Sequence, residues 1–242
     1  MNRLIRDTFY RTSKSFLVRV MFFLMIFLAL FLLIFAKVND VQAHTDEAFI
    51  INVLLPVISG CIICNIISSD FTNNTVRNKV IIGHKRSNIY LANMITMSVL
   101  ILALFLVYEA VFFSVGMIMF DNIHFTSRIA GNILFEIPAL IDCAALAVFI
   151  SMTIKSNTAN VVIFMMYYAF LMLAITAYGE ELDPSLTQKL KNIADCLPST
   201  EIIFLNEELD IKKPLLKIGI FIAETGLFTW SGNRLFKNVD LK

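Results

Sequence analysis

Six apolar stretches punctuate this chain, and each is long enough to cross a bilayer. A hydrocarbon core of about 30 Å takes roughly 20 apolar residues as a helix. The first run lies near Phe16–Ala36 and the second near Phe49–Ile67. The third lies within Ile89–Phe120 and the fourth within Ile129–Ile154. The fifth is near Ala159–Tyr178 and the sixth near Leu215–Gly232. So many runs in 242 residues leave too little polar chain to cover a soluble core. Composition agrees: 58% of residues are hydrophobic and 16% charged, where soluble domains have roughly 45–50% and about 25%. Mean hydropathy is +0.76. A disordered chain and a soluble enzyme are excluded on these grounds. A net charge of +1 gives no basic field for nucleic acid. The expected fold is an all-α integral membrane protein with six spans, a single transmembrane domain over residues 1–242.

The first run follows a charged start and precedes Val41-Gln42-Ala43, a loose imitation of a secretory signal. Its apolar stretch exceeds a usual signal core, so it reads as a retained helix. Lys and Arg near the helix ends set orientation. With six spans, both termini share a side with the connection after the second span. That side carries Arg3, Arg6, Arg11, Lys14, Arg19, Arg77, Lys79, Lys85, Arg86, Lys155, Arg234, Lys237 and Lys242. These are 13 of the 20 basic residues, and only Asp7, Asp70 and Asp240 accompany them. Both termini are therefore expected in the cytoplasm.

Three segments between spans carry local signals. Residues 1–15 form a basic amphipathic helix, with Leu4, Ile5, Phe9, Phe16 and Leu17 able to share a face. Such a helix lies in the headgroup plane; the plainer reading is a basic terminus that only sets topology. In the connection at 69–88, Asn73 or Asn74 can cap a short helix over Thr75–Ile82. Gly83 supplies its left-handed stop, and Ser87 can cap the third span. Val76 and Val80 give that helix an apolar stripe, which suits docking to a soluble partner. A positive-inside loop without a partner is the alternative. The loop at 179–213 is long; Asp183 and Pro184 open a helix whose Leu186, Leu190, Ile193, Ala194 and Leu197 share a face.

Catalytic signatures are scarce. No G-x-x-x-x-G-K-[ST] occurs, so no phosphate cradle of that kind is expected. His44, His84 and His124 fall on different sides and cannot share a metal. Glu180-Glu181 lacks the arginine an intramembrane protease signature needs. Cys61-x-x-Cys64 has redox spacing, but it lies within a span, where small residues serve helix contacts. Cys143 reads the same way and Cys196 stands alone. The acids Glu109, Glu136, Asp142 and Glu224 fall inside spans, where each costs on the order of 3 kcal/mol. Asn132 shares a face with Glu136, and Pro138 should kink the fourth helix. These residues line a translocation path or subunit interface, or they are hydrogen-bonded packing residues; the sequence leaves both open.

The run Asn74-Thr75-Val76-Arg77-Asn78-Lys79-Val80-Ile81-Ile82-Gly83, then Lys85-Arg86-Ser87-Asn88-Ile89-Tyr90-Leu91-Ala92-Asn93, resembles the first cytoplasmic loop of type-2 ABC exporter permeases of Gram-positive bacteria. Asn74 stands where that family usually has Gly. The layout resembles the family over almost the whole chain. The resemblance implies two permease chains, identical or homologous, each docked on a separate ATPase subunit of a dimer that binds ATP and Mg. This chain would bind no cofactor and would not itself be an enzyme. Docking would involve Asp70, Phe71, Thr75, Val76, Arg77, Asn78, Lys79, Val80, Gly83 and Arg86, with Arg77, Lys79 and Arg86 as charged contacts. The cargo implied is an amphipathic peptide, such as a bacteriocin, or a lipid-like molecule, moved outward or extracted from the bacterial plasma membrane. The competing expectations are a proton-coupled secondary transporter working through the intramembrane acids, and a non-transporting assembly or sensor protein.

Overall fold

In a computed structural model the described residues are 1–38, 50–120, 127–179 and 212–239. Among them every regular element is a helix. They are α1 (Asn2–Lys14), α2 (Phe16–Val38), α3 (Ile50–Thr72), α4 (Thr75–Ile81), α5 (Arg86–Met119), α6 (Ser127–Thr153), α7 (Asn157–Gly179) and α8 (Lys212–Asn238). Helices are what a bilayer permits, because each satisfies its backbone polar groups internally. Four of them contain stretches long and apolar enough to cross a membrane: Phe16–Val38, Leu55–Thr72, Arg86–Met119 and Glu136–Thr153. The chain is thus an all-α protein with membrane-spanning character. Helices α7 and α8 stand where the sequence places the fifth and sixth apolar runs. The helix expected from Asp183 in the long loop lies outside the described residues, as do His44, His124 and Cys196.

Helix α6 forms the centre and packs against α3, α5, α7 and α8. Its Ala139, Ala144, Ala145, Ala147 and Ser151 are all buried. Small side chains let neighbouring backbones approach, which replaces the hydrophobic drive that lipid cannot supply between helices. Helix α2 is peripheral and packs on α5. Val18, Met21, Met25, Ala29, Leu33 and Ala36 make its buried stripe at helical spacing. The opposite face exposes Phe23, Phe27, Phe31 and Phe35. Phe27 and Phe31 stack at 6.0 Å between centroids, and Phe31 and Phe35 at 6.1 Å. Large aromatics turned outward in a row suit lipid rather than water.

Helix α5 has 34 residues, which at about 1.5 Å each is longer than the hydrocarbon is thick. It must tilt or protrude. It starts at Arg86, three residues before the apolar run, with Lys85 in the cap position and no side-chain cap bond. Ser87, expected as the cap, lies inside the helix. Near its start, α5 meets α8 closely. Tyr90 is fully buried and its Oη donates to the Phe228 carbonyl at 3.2 Å. A Cβ at Gly232 would sit 2.2 Å from that Oη, so glycine is what lets the two helices approach.

Gly232→Ala should therefore destabilise the protein by about 1–3 kcal/mol through overpacking. Gly226→Ala, with nothing within 4 Å of the added carbon, should leave it unchanged. Thermal unfolding of both variants in one mild detergent checks this.

Candidate functional site

The end of the bundle that bears α4 concentrates the charge. Helix α3 runs on to Thr72, a two-residue turn follows, and α4 begins at Thr75. Asn74 makes that turn with φ at +54°, a left-handed conformation asparagine tolerates. Its side chain makes no cap bond, so it acts through its backbone rather than as the expected capping side chain. Gly83 closes the other end at φ +98°, as its position suggests, and the Gly83 and His84 amides return to the carbonyls of Val80 and Lys79. The outcome is a short helix, Thr75–Ile81, held between two left-handed residues.

Several residues expected to face a partner are engaged within the chain. The Arg11 guanidinium from α1 forks onto both carboxylate oxygens of Asp70 at the end of α3. Two parallel charge-assisted bonds fix orientation as well as distance. Lys79 is buried; its Nζ donates to Thr8 Oγ1 at 3.0 Å and lies 3.7 Å from Asp7 Oδ2. Burial pushes the Lys79 pKa below 10.5, the nearby Arg11 pushes the same way, and Asp70 and Asp7 oppose both. Its protonated form is thus less favoured folded than unfolded. Its contribution to stability rises with pH between that lowered value and 10.5. Val76 is buried at 1% exposure, and Val80 and Phe71 are partly buried against the core.

Arg86 has a different task. Its Nη1 donates to the carbonyls of Phe236, Lys237 and Val239 at 3.3, 2.8 and 2.6 Å. Those carbonyls close α8, where the last turn runs out of intrahelical donors and the Val239 amide reaches only the Phe236 carbonyl, so a cation there helps to complete them and meets the negative end of the helix dipole. Phe236 is buried beside Tyr90 and edge-on to Phe71, with centroids 6.4 and 6.3 Å away. The segment from Phe71 to Tyr90 is therefore tied at both ends to the close of α8.

The exposed part of the segment is small. Arg77, Asn78, Gly83, His84 and Lys85 are exposed, and Thr75 is half-buried. Ile81 and Ile82 stand out at 71% and 78% exposure. Two aliphatic side chains with a lysine, a histidine and an arginine nearby form an apolar tip with a basic surround. Nothing in this group is a nucleophile or a metal cluster, and among the described residues no set of three or more His, Cys, Asp or Glu could hold a metal. The arrangement can present a shape and hold it rigidly.

The intramembrane acids lie elsewhere. Asp142 is buried in α6, and Thr225 of α8 donates to its Oδ1 at 3.0 Å. Glu224 precedes that threonine and is half-buried. Glu109 on α5 and Glu136 on α6 are buried at 3% and 2% exposure. The side chain of Asn132 lies outside the described residues. The structure therefore joins α6 to α8 through Asp142 and Thr225. Sequence reading did not single out Thr225, Arg11, Thr8 or the Ile81–Ile82 tip. The available signal was the Asp7, Thr8, Arg11, Thr12 repeat on one face of an otherwise basic helix.

Removing the guanidinium in Arg11→Ala would leave Asp70 buried without its partner, at a cost of about 1–3 kcal/mol. The exchange Arg11→Asp with Asp70→Arg should recover part of that loss. Amide exchange over residues 2–14 reads it directly: faster in the single variant, slower again in the double.

No protein-family model matches the chain, and no curated protein is similar to it.

Proposed function

We propose that the chain is the membrane subunit of an ATP-driven exporter of the ABC permease kind. In this reading α7 and α8 also cross the membrane, giving six spans with both termini in the cytoplasm, and the α4 end faces the cytoplasm. The observation that carries the reading is the Ile81–Ile82 tip: an exposed apolar knob on a helix of seven residues, braced by α1 and tied to α8. Loops that only set topology have no reason to hold a half-buried ion pair and a capped helix end. A tip that must receive force does.

The residues named by the resemblance then divide by role around the Ile81–Ile82 tip, which the resemblance did not name. Ile81 and Ile82 enter a groove on the ATPase subunit, with Arg77, Asn78 and Gly83 around them. Val76, Val80, Lys79, Asp70 and Phe71 hold the tip to the rest of the chain. Arg86 passes its displacement to α8. The Asp142–Thr225 hydrogen bond carries that displacement from α8 to α6, the centre of the bundle. ATP and Mg act on the partner, two permease chains form the pathway, and an amphipathic peptide or lipid-like cargo suits its apolar surroundings.

The test is purification of tagged chain from native membranes in mild detergent, with partners identified by mass spectrometry and vanadate-sensitive ATP hydrolysis assayed. The expected result is a stoichiometric ATPase whose recovery falls more than tenfold in Ile82→Asp, with gel-filtration behaviour unchanged. Chain recovered without an ATPase, even after crosslinking in the membrane, overturns the proposal. Such a result returns weight to a transporter working through Asp142 and Glu224.

A further inference from the structure

The internal pairing at the α4 end sorts the cations of α1 into two sets. Arg11 is consumed by Asp70, and Asp7, the helix's only acid, faces Lys79. Arg3, Arg6 and Lys14 stay exposed, as does Arg19 in the opening turns of α2. None of these four has an acidic partner among the described residues. At about 100° per residue, Arg6, Tyr10, Arg3 and Lys14 fall within roughly 80° of arc. Leu4, Thr8 and Thr12, all buried, occupy the opposite side. The Lys14 ammonium lies 5.7 Å from the Tyr10 ring centroid, a cation–π contact at the edge of the same stripe.

Position decides what such a stripe meets. Ser15 alone separates α1 from α2, a helix able to span the bilayer from Phe16 onward. The outward face of α1 is therefore held at the membrane boundary. Phe9 and Phe16 are exposed next to the stripe at 48% and 72%, and the row of phenylalanines on α2 continues from them. Exposed aromatic side chains leading into a span, with cations beside them, match a headgroup layer better than they match a soluble protein.

We infer that the outward face of α1, formed by Arg3, Arg6, Tyr10 and Lys14, binds the headgroups of anionic phospholipids. The inward face packs on α5 and reaches α3 and α4 through Arg11 and Thr8, so the helix is clamped between the lipid surface and the segment bearing Ile81 and Ile82. Anionic lipid then steadies α4 through Arg11 and Thr8. This inference does not need the exporter reading, because no ATPase enters it.

The experiment places the full chain in nanodiscs of phosphatidylcholine alone, or of phosphatidylcholine with phosphatidylglycerol, and follows amide exchange. Each cation near an anionic surface contributes about fivefold. Exchange over 2–14 should be at least tenfold slower in the anionic discs, with smaller slowing over 75–81 and none over 139–151 of α6, on which α1 does not pack. The variant Arg3→Gln, Arg6→Gln, Lys14→Gln should exchange alike in both discs; Arg11 and Arg19 remain in it to hold topology. Lysine in place of Arg3 and Arg6 should keep the lipid effect. Equal exchange of the unaltered chain in both discs overturns the inference. So does slowing that persists in the glutamine variant or extends equally to 139–151. Slowing that appears only when a soluble protein is added also overturns it, and assigns the face to that protein.

Discussion

Everything at the α4 end depends on the pairing of Arg11 with Asp70. Asp70 ends a span and is almost wholly buried, at 4% exposure. A carboxylate there is costly unless it is met by a cation with the right geometry. Arg11 meets it with two parallel hydrogen bonds, and that fixes α1 against α3. Once α1 is fixed, Thr8 and Asp7 are in place to receive Lys79, and α4 is fixed in turn. Helix α1 and the distant α3–α4 segment are thus ordered by two cations. The pair itself adds little net stability, since Asp70 leaves water almost completely and Arg11 in part; its contribution is a defined geometry.

The apolar body and the charged end do different work. In the body, α6 gathers its neighbours through alanine, serine and cysteine, and the hydrogen bond from Thr225 to Asp142 crosses to α8. At the charged end, contacts are directional and few. Arg86 on the end of α8, with Tyr90 and Phe236 behind it, connects the two regions. A displacement of the Ile81–Ile82 tip has a continuous route through packed and hydrogen-bonded groups into the centre of the bundle.

Much of this was legible in the sequence because it is local. The apolar runs gave the helices. Gly83 marked a left-handed stop, and Asn74 marked the start of α4, although by backbone conformation rather than by a capping bond. What was not legible is long-range. Arg11 and Asp70 are 59 residues apart, Lys79 and Thr8 71, and Arg86 and Lys237 151. A basic loop residue looks the same whether it faces water, a partner or its own chain. Lys79 and Arg86 read as free docking cations for that reason, and here they bond inward. Leu4 and Phe9 show the same limit: periodicity puts them on α1, but only packing sends Leu4 to the protein and leaves Phe9 outside.

The proposed function requires that a soluble ATPase touch Ile81 and Ile82. A photo-crosslinking residue placed at position 82 in cells tests this without purification or knowledge of the cargo. The account predicts one dominant protein adduct, with an ATP-hydrolysing subunit, and no such adduct from position 118 on α5. Adducts with lipid alone at position 82, or with no ATPase, would contradict it.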